Sequence, residues 1–439
     1  MPLKIRNRPS QMATESPHFE YAVSLLRSLF DAAVESAYPG PELVELLPES
    51  PRGKTVVVGA GKAGASMAQT LEKSLGPIDD SLIIVPPGHS LKTKSINIIE
   101  ASHPVPDRVG LEAAIHILEM AHSLKSDDLL LCLLSGGGSA LLNLPLPGIG
   151  LAEKQAITRS LLSSGATINE INTVRKHLSA IKGGRLAAAS YPASTFTLAV
   201  SDVPGNHIST IASGPTVGDP STSAEASDVL ERFSIAVSPT TDQILQSNQS
   251  ETPAPGDPAL RFSQYAVVAG PGKALGAASN FAQNSGFNVI NLGDQVEGLA
   301  VEIAKHHAHL IRTEKLFENN QRTLLLSGGE ATVKITGAGS GGPNQEYLLA
   351  LAIELNGLEN LFGIACDTDG IDGATTAAGA VITPSTLRRA AEQGINPKDC
   401  LENNDAGSFF TLLDDLVTTG PTYTNVNDFR AIAYIPNSD

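Results

Sequence analysis

The sequence predicts an α/β fold in which the sheets are mainly parallel. Short runs of β-branched residues and leucine alternate with longer patterns of alanine, leucine and charge that suit helices. Several of the short runs end in glycine turns, and the clearest is 129–134, Leu-Leu-Leu-Cys-Leu-Leu, followed by Ser-Gly-Gly-Gly-Ser at 135–139. Parallel sheets bind ligands at the carboxyl ends of their strands. We expect a Rossmann-like three-layer first domain, a smaller mixed α/β second domain and an active site in the cleft between them.

The predicted elements follow in chain order. In the first domain we expect helices at 19–37, 62–75, 152–164 and 176–190, and strands at 54–58, 82–85, 129–134 and 195–201. A Ser, Thr, Gln and Pro-rich stretch at about 237–260 predicts the linker between domains 1–250 and 261–439. Beyond it we expect strands at 265–269, 287–291, 322–326, 331–336 and 361–366, and helices at 273–285, 297–315 and 344–355.

Composition narrows the class of protein. The 439 residues are 41% hydrophobic and carry a formal charge of −16, which argues against nucleic-acid or acidic-membrane partners. Three widely spaced cysteines predict a reducing compartment, and no apolar run reaches the ~18 residues of a membrane span. The basic segment 1–12 is a weak transit-peptide signal, but it is short and interrupted by proline, so we expect a cytoplasmic protein.

The first glycine turn admits two interpretations. Residues 59–64, Gly-Ala-Gly-Lys-Ala-Gly, match the G-x-G-x-x-G fingerprint of dinucleotide-binding proteins. That fingerprint also requires an acid at the end of the next strand, and here 82–85 continues into Pro86 and Pro87. Lys62 inside the turn suits a point cation for a transferred phosphate.

Two further glycine turns predict phosphate binding through backbone N–H groups. They contribute the candidate ligand contacts Ser135, Gly136, Gly137, Gly138, Ser139, Ser327, Gly328, Gly329 and Glu330. A cationic set lies nearby in sequence and predicts an anion pocket, since the rest of the protein is acidic. It consists of Arg175, Lys176, Lys182 and Arg185.

Acidic candidates follow two predicted strands. Asp202 comes directly after 195–201, and the second group is Asp367, Asp369 and Asp372 in a glycine-bounded loop after 361–366. Clustered carboxylates of this kind suit Mg²⁺ that carries a nucleotide phosphate, although aspartates also cap turns. Three histidines at 306, 307 and 309 resemble a metal tract, but on an amphipathic helix we expect them at the surface.

Seven ordered motifs resemble the glycerate 2-kinase family with its C-terminal MOFRL domain. They are Gly-Ala-Gly-Lys62-Ala, His103-Pro-Val-Pro-Asp107, Ser135-Gly-Gly-Gly-Ser139, Asn172-Thr-Val-Arg-Lys-His177, Ser201-Asp-Val-Pro-Gly205 with Ile211-Ala-Ser-Gly-Pro-Thr216, Gly341-Gly-Pro-Asn-Gln-Glu346 and Thr368-Asp-Gly-Ile-Asp-Gly373. The resemblance covers nearly all of 18–430. It implies phosphorylation of D-glycerate to 2-phosphoglycerate with ATP and Mg²⁺. A homodimer is a candidate assembly.

On that resemblance, Lys62 neutralises the transferred phosphoryl group and Asp202 orients or deprotonates the hydroxyl. Asp367, Asp369 and Asp372 hold Mg²⁺, while Asn344, Gln345 and Glu346 bind substrate hydroxyls or nucleotide. Pro343 and Asn206 depart from the family, because many members have arginine and an acid there. Arg175 or Arg185 would then supply the arginine. The alternatives are an NAD(P)-dependent hydroxypyruvate reductase and a non-catalytic sugar-phosphate sensor.

Overall fold

A computed structural model describes residues 17–314 and 321–437. The basic segment 1–12 lies outside the described residues. The strands are β1 Thr55–Ala60, β2 Asp80–Val85, β3 Ile98–Glu100, β4 Leu129–Leu134, β5 Ser194–Val200, β6 Ser263–Ala269, β7 Asn288–Asn291, β8 Gly298–Leu299, β9 Thr323–Gly329, β10 Ala331–Thr332, β11 Leu361–Asp367, β12 Gly379–Ile382, β13 Leu416–Val417 and β14 Asp428–Tyr434.

The helices are α1 Pro17–Ala37, α2 Glu42–Glu45, α3 Gly64–Leu71, α4 Arg108–His122, α5 Gly138–Leu141, α6 Leu151–Ser163, α7 Ile168–His177, α8 Arg185–Ser190, α9 Ser223–Arg232, α10 Pro239–Leu245, α11 Pro271–Asn284, α12 Ala300–Thr313, α13 Pro343–Leu355, α14 Thr386–Glu392, α15 Pro397–Glu402 and α16 Ala406–Leu413. Within the part of the chain that the structure describes, no helix has the length and apolar character that crossing a membrane requires.

The chain divides into two units. The first unit, 38–269, contains a six-stranded sheet in the order β3-β2-β1-β4-β5-β6, and every neighbouring pair is parallel. Its central strands β1 and β4 are buried on both faces, as their valine and leucine runs require. Helix α4 packs on one face, and α3 approaches the other face so closely that a Cβ on Gly64 would lie 2.8 Å from Ile83. The predicted parallel α/β class is confirmed.

The second unit contains a mixed sheet in the order β13-β12-β11-β14-β9-β7. Only β7 and β9 are parallel, and the other pairs of this sheet are antiparallel. Helix α13 is buried along most of its length and lies in the core beside α12 and the sheet. The short pair β8 and β10 replaces the strand predicted at 331–336.

The structure places the domain boundary elsewhere than the sequence suggested. Strand β6 pairs with β5, so it closes the first sheet instead of opening the second domain. Helix α1 belongs to the second unit, where the Thr424 hydroxyl donates to the carbonyl of Ala37 and Phe30 packs on Phe429. The presumed linker is also packed, because α10 contributes to the core of the first unit. Its polar composition reflects side chains that hydrogen-bond internally.

The helix predicted at 176–190 is in fact two helices. Helix α7 ends at His177 and α8 begins at Arg185, with Gly183 and Gly184 between them at φ +56° and +82°. Side-chain-bearing residues rarely adopt this left-handed backbone, so the two glycines form the turn from which α8 starts. The resulting turn brings 178–180 beside 144–146, where Ala180 N–H donates to Leu144 at 2.9 Å.

Candidate active site

The carboxyl edge of the first sheet gathers the strongest predicted residues of the first unit. Lys62 follows β1, His103 follows β3, the glycine turn 135–139 follows β4, and Asp202 follows β5. The strand order reverses direction between β1 and β4, which is where open parallel sheets form a binding crevice. Residues separated by more than a hundred positions are thus brought to one edge.

The turn at 59–64 has no backbone donor left for a phosphate. Gly61 N–H donates to Ile84 and Lys62 N–H donates to Gly136, at 3.0 and 2.9 Å. Ala63 N–H donates to the hydroxyl of Ser135 at 2.9 Å, and Gly64 N–H donates within the turn. A Cβ on Gly61 would lie 2.2 Å from Ser135 Oγ, so this glycine is needed for protein packing. A dinucleotide pyrophosphate requires those donors, and here all four already donate to acceptors of the protein.

The turn at 135–139, in contrast, retains backbone N–H groups that the described part of the protein does not use. Ser135 N–H and Gly138 N–H are used, but in the described chain the N–H groups of Gly136, Gly137 and Ser139 donate to no protein acceptor. Gly137 has φ +81°, and a Cβ there would lie 3.1 Å from Nε2 of His103 and 3.7 Å from Cγ of Lys62. The imidazole and the lysine side chain therefore flank a turn that retains unused donors. This arrangement suits an anionic group.

Ser139 connects this turn to α7. Its hydroxyl lies 2.7 Å from the hydroxyl of Ser213, which donates to Oδ1 of Asn172 at 3.4 Å. Asn172 is one helical turn before Arg175, so the end of α7 that carries Arg175 lies near the glycine turn. The Arg175 guanidinium is partly buried, and that burial lowers its pKa. Asp202 is half-buried at the end of β5.

The predicted cationic set does not act as one group. Lys176 forms a buried ion pair with Asp219 at 3.0 Å, and the Arg185 guanidinium donates to the carbonyls of Gln249 and Glu251. These two cations are used to hold the structure together. Arg175 and Lys182 remain from the set. Arg175 is therefore the better candidate for the role of the family arginine, because the Arg185 guanidinium already donates to backbone carbonyls.

The second predicted glycine turn is not a turn in the structure. Ser327, Gly328 and Gly329 lie inside β9, where they pair in register with β14, and Glu330 follows at the exposed end of the strand. Gly328 N–H donates to Gly293, and a Cβ on Gly329 would lie 2.4 Å from the carbonyl of Val296. The glycines are needed because another backbone segment crosses the strand closely.

The loop after β11 is held by internal hydrogen bonds. Asp367 accepts from Asp369 N–H at 2.9 Å, and Asp369 accepts from Ile371 N–H at 2.7 Å. Asp372 caps the start of α13, because its two oxygens accept from Asn344 N–H and Gln345 N–H. Burial raises the pKa of Asp372 to about 7, against these hydrogen bonds.

No group of three or more His, Cys, Asp and Glu side chains within 17–314 and 321–437 is placed to hold a metal ion. Asp367, Asp369 and Asp372 do not form the predicted ligand cluster in this arrangement, in which one oxygen of Asp367, one of Asp369 and both of Asp372 accept from backbone N–H groups. The residues present do not fit a protein-built magnesium site in this loop.

The start of α13 is also internally bonded. Asn344 donates to Asp372 and Asp428, Gln345 donates to Thr375, and Glu346 accepts from Asn404. All three side chains are buried, and burial raises the pKa of Glu346. Pro343 occupies the first position of this helix, where it needs no N–H partner. Contact of these residues with a ligand stays a prediction.

The burial of two side chains, those of His307 and Lys154, was not predicted from the sequence. His307 was expected at the surface, but it packs inside the second unit, where Nδ1 lies 2.8 Å from the Tyr347 hydroxyl. Lys154 lies on the apolar face of α6, three and seven residues before Ile157 and Leu161. The sequence did carry a signal for this burial, because Lys154 occupies a position where the helical spacing of Ile157 and Leu161 calls for an apolar residue.

Similar proteins connect this geometry with a known family. A family model described as Domain of unknown function (DUF4147) matches residues 25–247, and one described as the MOFRL family matches 323–428. The D-glycerate 2-kinase of Thermotoga maritima is 37% identical over 90% of this chain and 94% of that protein. A crystal structure of glycerate kinase from Thermotoga maritima matches with a TM-score of 0.84 and 36% identity, covering 94% of this chain and 100% of that one. The chain belongs to the glycerate kinase family.

Two of the relatives in this comparison carry a different name. A protein of Agrobacterium vitis named "Putative hydroxypyruvate reductase" is 46% identical over 94% of both chains. The glycerate kinase family therefore includes proteins whose names refer to two different chemistries. In this chain, the occupied N–H groups at 59–64 do not suit the nicotinamide cofactor that such a reductase requires.

Proposed function

We propose that this protein is a kinase that transfers the γ-phosphoryl group of ATP to the 2-hydroxyl of D-glycerate. Its relative from Thermotoga maritima is named a D-glycerate 2-kinase, which supports the substrate and the position of transfer. The observation that carries the proposal is the contrast between two neighbouring turns. Backbone donors are used up at 59–64 and remain unused at 135–139, beside the lysine side chain.

Phosphoryl transfer depends mainly on positioning and on neutralising charge around the moving group. In the proposed mechanism, the N–H groups of Gly136, Gly137 and Ser139 hold phosphate oxygens through hydrogen bonds. The Lys62 ammonium stabilises the negative charge on the transferred group. Asp202, at the next strand end, orients the acceptor hydroxyl and accepts its proton as the O–P bond forms and the bond to ADP breaks.

Mg²⁺ enters this proposal as the partner of the nucleotide phosphates, which supply oxygen ligands themselves. The aspartate loop after β11 takes no part in it, since its carboxylates cap turns and a helix. We propose a cytoplasmic enzyme with only small-molecule substrates, D-glycerate and ATP, with a homodimer as its assembly.

Incubation with ATP, Mg²⁺ and D-glycerate, followed by phosphorus NMR, tests the proposal directly. We expect 2-phosphoglycerate and a matching amount of ADP, with no consumption of NADH or NADPH when hydroxypyruvate is supplied. Formation of 3-phosphoglycerate alone would contradict the position of transfer. Steady nicotinamide oxidation in the absence of kinase activity would favour the reductase instead.

A further inference from the structure

Three cations from separate segments lie together in the first unit. Lys154 is on the first turn of α6, Arg175 is on the last turn of α7, and Lys182 is in the glycine turn that follows. The apolar faces of α6 and α7 pack together through Ile157, Val174 and their neighbours. Lys154 lies on the packed face of α6, and Arg175 is four residues from the buried Ile171 on α7.

These cations lack the partners that buried charges normally have. Lys154 is 4% exposed, and its Nζ has no hydrogen-bond partner among the described residues. Lys182 is 1% exposed, and its Nζ donates to the carbonyl of Leu142. No carboxylate in the described ranges pairs with any of the three. Burial and the charge of Arg175 lower the pKa of Lys154 to about 7, and the pKa of Lys182 is lowered by burial and by both other cations.

The neighbouring lysine on α7 shows what a structural cation in this protein looks like. Lys176 is equally buried, but Asp219 neutralises it, and Asp219 also accepts from the hydroxyls of Ser221 and Thr252. An unneutralised buried charge destabilises a fold unless another group compensates it. The missing compensation at Lys154, Arg175 and Lys182 therefore indicates an anion that is not part of the chain.

The cluster is adjacent to the proposed phosphate turn. Lys182 binds the carbonyl of Leu142, which directly follows α5, and α5 begins inside the glycine turn. The four residues of α5 span only about 6 Å along the helix axis, so the Lys182 side chain lies close to the glycine turn. Asn143, the next residue, is buried and its Nδ2 also has no partner among the residues described. Arg175 is partly exposed, which gives a ligand access from solvent.

We propose that Lys154, Arg175 and Lys182 form an oxyanion subsite that binds the carboxylate of the hydroxy-acid substrate. This inference rests on the proposed function, because it needs a phosphoryl group at the glycine turn. The 2-hydroxyl and the carboxylate of glycerate are on adjacent carbons, so an acceptor hydroxyl facing the turn places the carboxylate a few ångströms further on. The subsite then distinguishes a hydroxy acid from an uncharged polyol.

Ligand binding measured without turnover tests the subsite. Calorimetry and thermal shift are carried out on the wild type, Lys154→Met, Arg175→Met and the control Lys305→Met, whose exposed lysine pairs with Glu302 at the surface. The probes are D-glycerate, glycerol and ADP with Mg²⁺. We expect glycerate, but not glycerol, to raise the melting temperature of the wild type and the control. In each cluster variant the Kd for glycerate should rise by roughly 30-fold or more while ADP binding is retained.

Wild-type glycerate affinity in both folded cluster variants would overturn the inference, and so would a wild type that binds no glycerate. Loss of ADP binding with glycerate binding intact would assign the cluster to nucleotide phosphates and would also overturn it. The two proposals fail separately. Glycerate binding that depends on Lys154 without phosphorylation would refute only the kinase, whereas phosphorylation with an unchanged glycerate KM in Lys154→Met would refute only the subsite.

Discussion

Replacing Lys154 by methionine should stabilise the unliganded protein. The pKa of this lysine is about 7 in the folded chain and 10.5 in its ordinary state, so between these values the unfolded chain binds more protons than the folded one. Folding stability attributable to Lys154 therefore rises with pH from about 7 to about 10.5. At pH 7 the lysine costs about 4 kcal/mol relative to a neutral side chain of similar shape. Relaxation around the charge reduces this, so we expect a gain on the order of 1–4 kcal/mol.

Lys176→Met is the matched control, because it removes a buried lysine from the adjacent helix. Its loss leaves Asp219 buried with hydroxyl and backbone donors and with Nε2 of His177 at 3.7 Å, so we expect a destabilisation of about 3 kcal/mol. Two buried Lys→Met substitutions should thus change stability in opposite directions. The difference follows from the presence of a carboxylate at one lysine and its absence at the other.

The assay is the melting temperature of the wild type and both variants without ligand, between pH 6.5 and 9.5. Lys154→Met should melt several degrees above the wild type at pH 6.5, and the difference should shrink steadily as the pH rises. Lys176→Met should melt below the wild type throughout. A Lys154→Met protein that melts below the wild type at every pH would refute the reasoning, since it would mean that the ammonium group is compensated within the fold.

Three further predictions concern the proposed active site and the aspartate loop after β11. Lys62→Met should lower kcat by roughly 10²–10³ with little change in melting temperature, because it removes one preorganised charge from the transition state; near-wild-type turnover would remove Lys62 from the mechanism. Gly137→Ala and Gly256→Ala should each lower the free energy of unfolding by about 1 kcal/mol, because φ is +81° and +86°. Only the alanine at 137 places a methyl group against His103, so only Gly137→Ala should impair ATP turnover. Equal activity in the two alanine variants would show that the turn at 137 does not contact the nucleotide. Asp369→Asn keeps the oxygen that accepts from Ile371 N–H, so the Mg²⁺ dependence of the rate should be unchanged; a shifted magnesium titration would restore a metal role to this loop.

Local sequence patterns were a good guide wherever the determining interactions are themselves local. The alternation of apolar strands and amphipathic helices predicted the parallel sheet, and the run 129–134 ending in three glycines predicted a turn at 135–139. Lys62 follows β1 as the sequence predicted, and the structure adds that it lies beside that turn. These features depend on side-chain periodicity and on the conformational freedom of glycine, which are properties of short segments.

The same kind of pattern failed where a distant segment decides the outcome. Ser327, Gly328 and Gly329 resemble the turn at 135–139 in sequence, yet they continue a strand because β14 pairs with them and 293–296 crosses over them. His307 has the neighbours of a surface histidine, but Tyr347 from another helix buries it. The linker-like composition at 237–260 likewise gave no sign that β6 would join the first sheet.

The sequence by itself therefore determined the fold class, the family and the glycine turn that we propose to hold a phosphate. Only the tertiary structure decided which backbone donors stay unused, since the hydroxyl that occupies Ala63 N–H comes from Ser135, 72 residues away. It also decided which cations are neutralised, because Asp219 reaches Lys176 and no carboxylate of the described chain pairs with Lys154. Hydrogen bonds and ion pairs are short-range in space but not in sequence, so the residue types identify candidates and the packing selects among them.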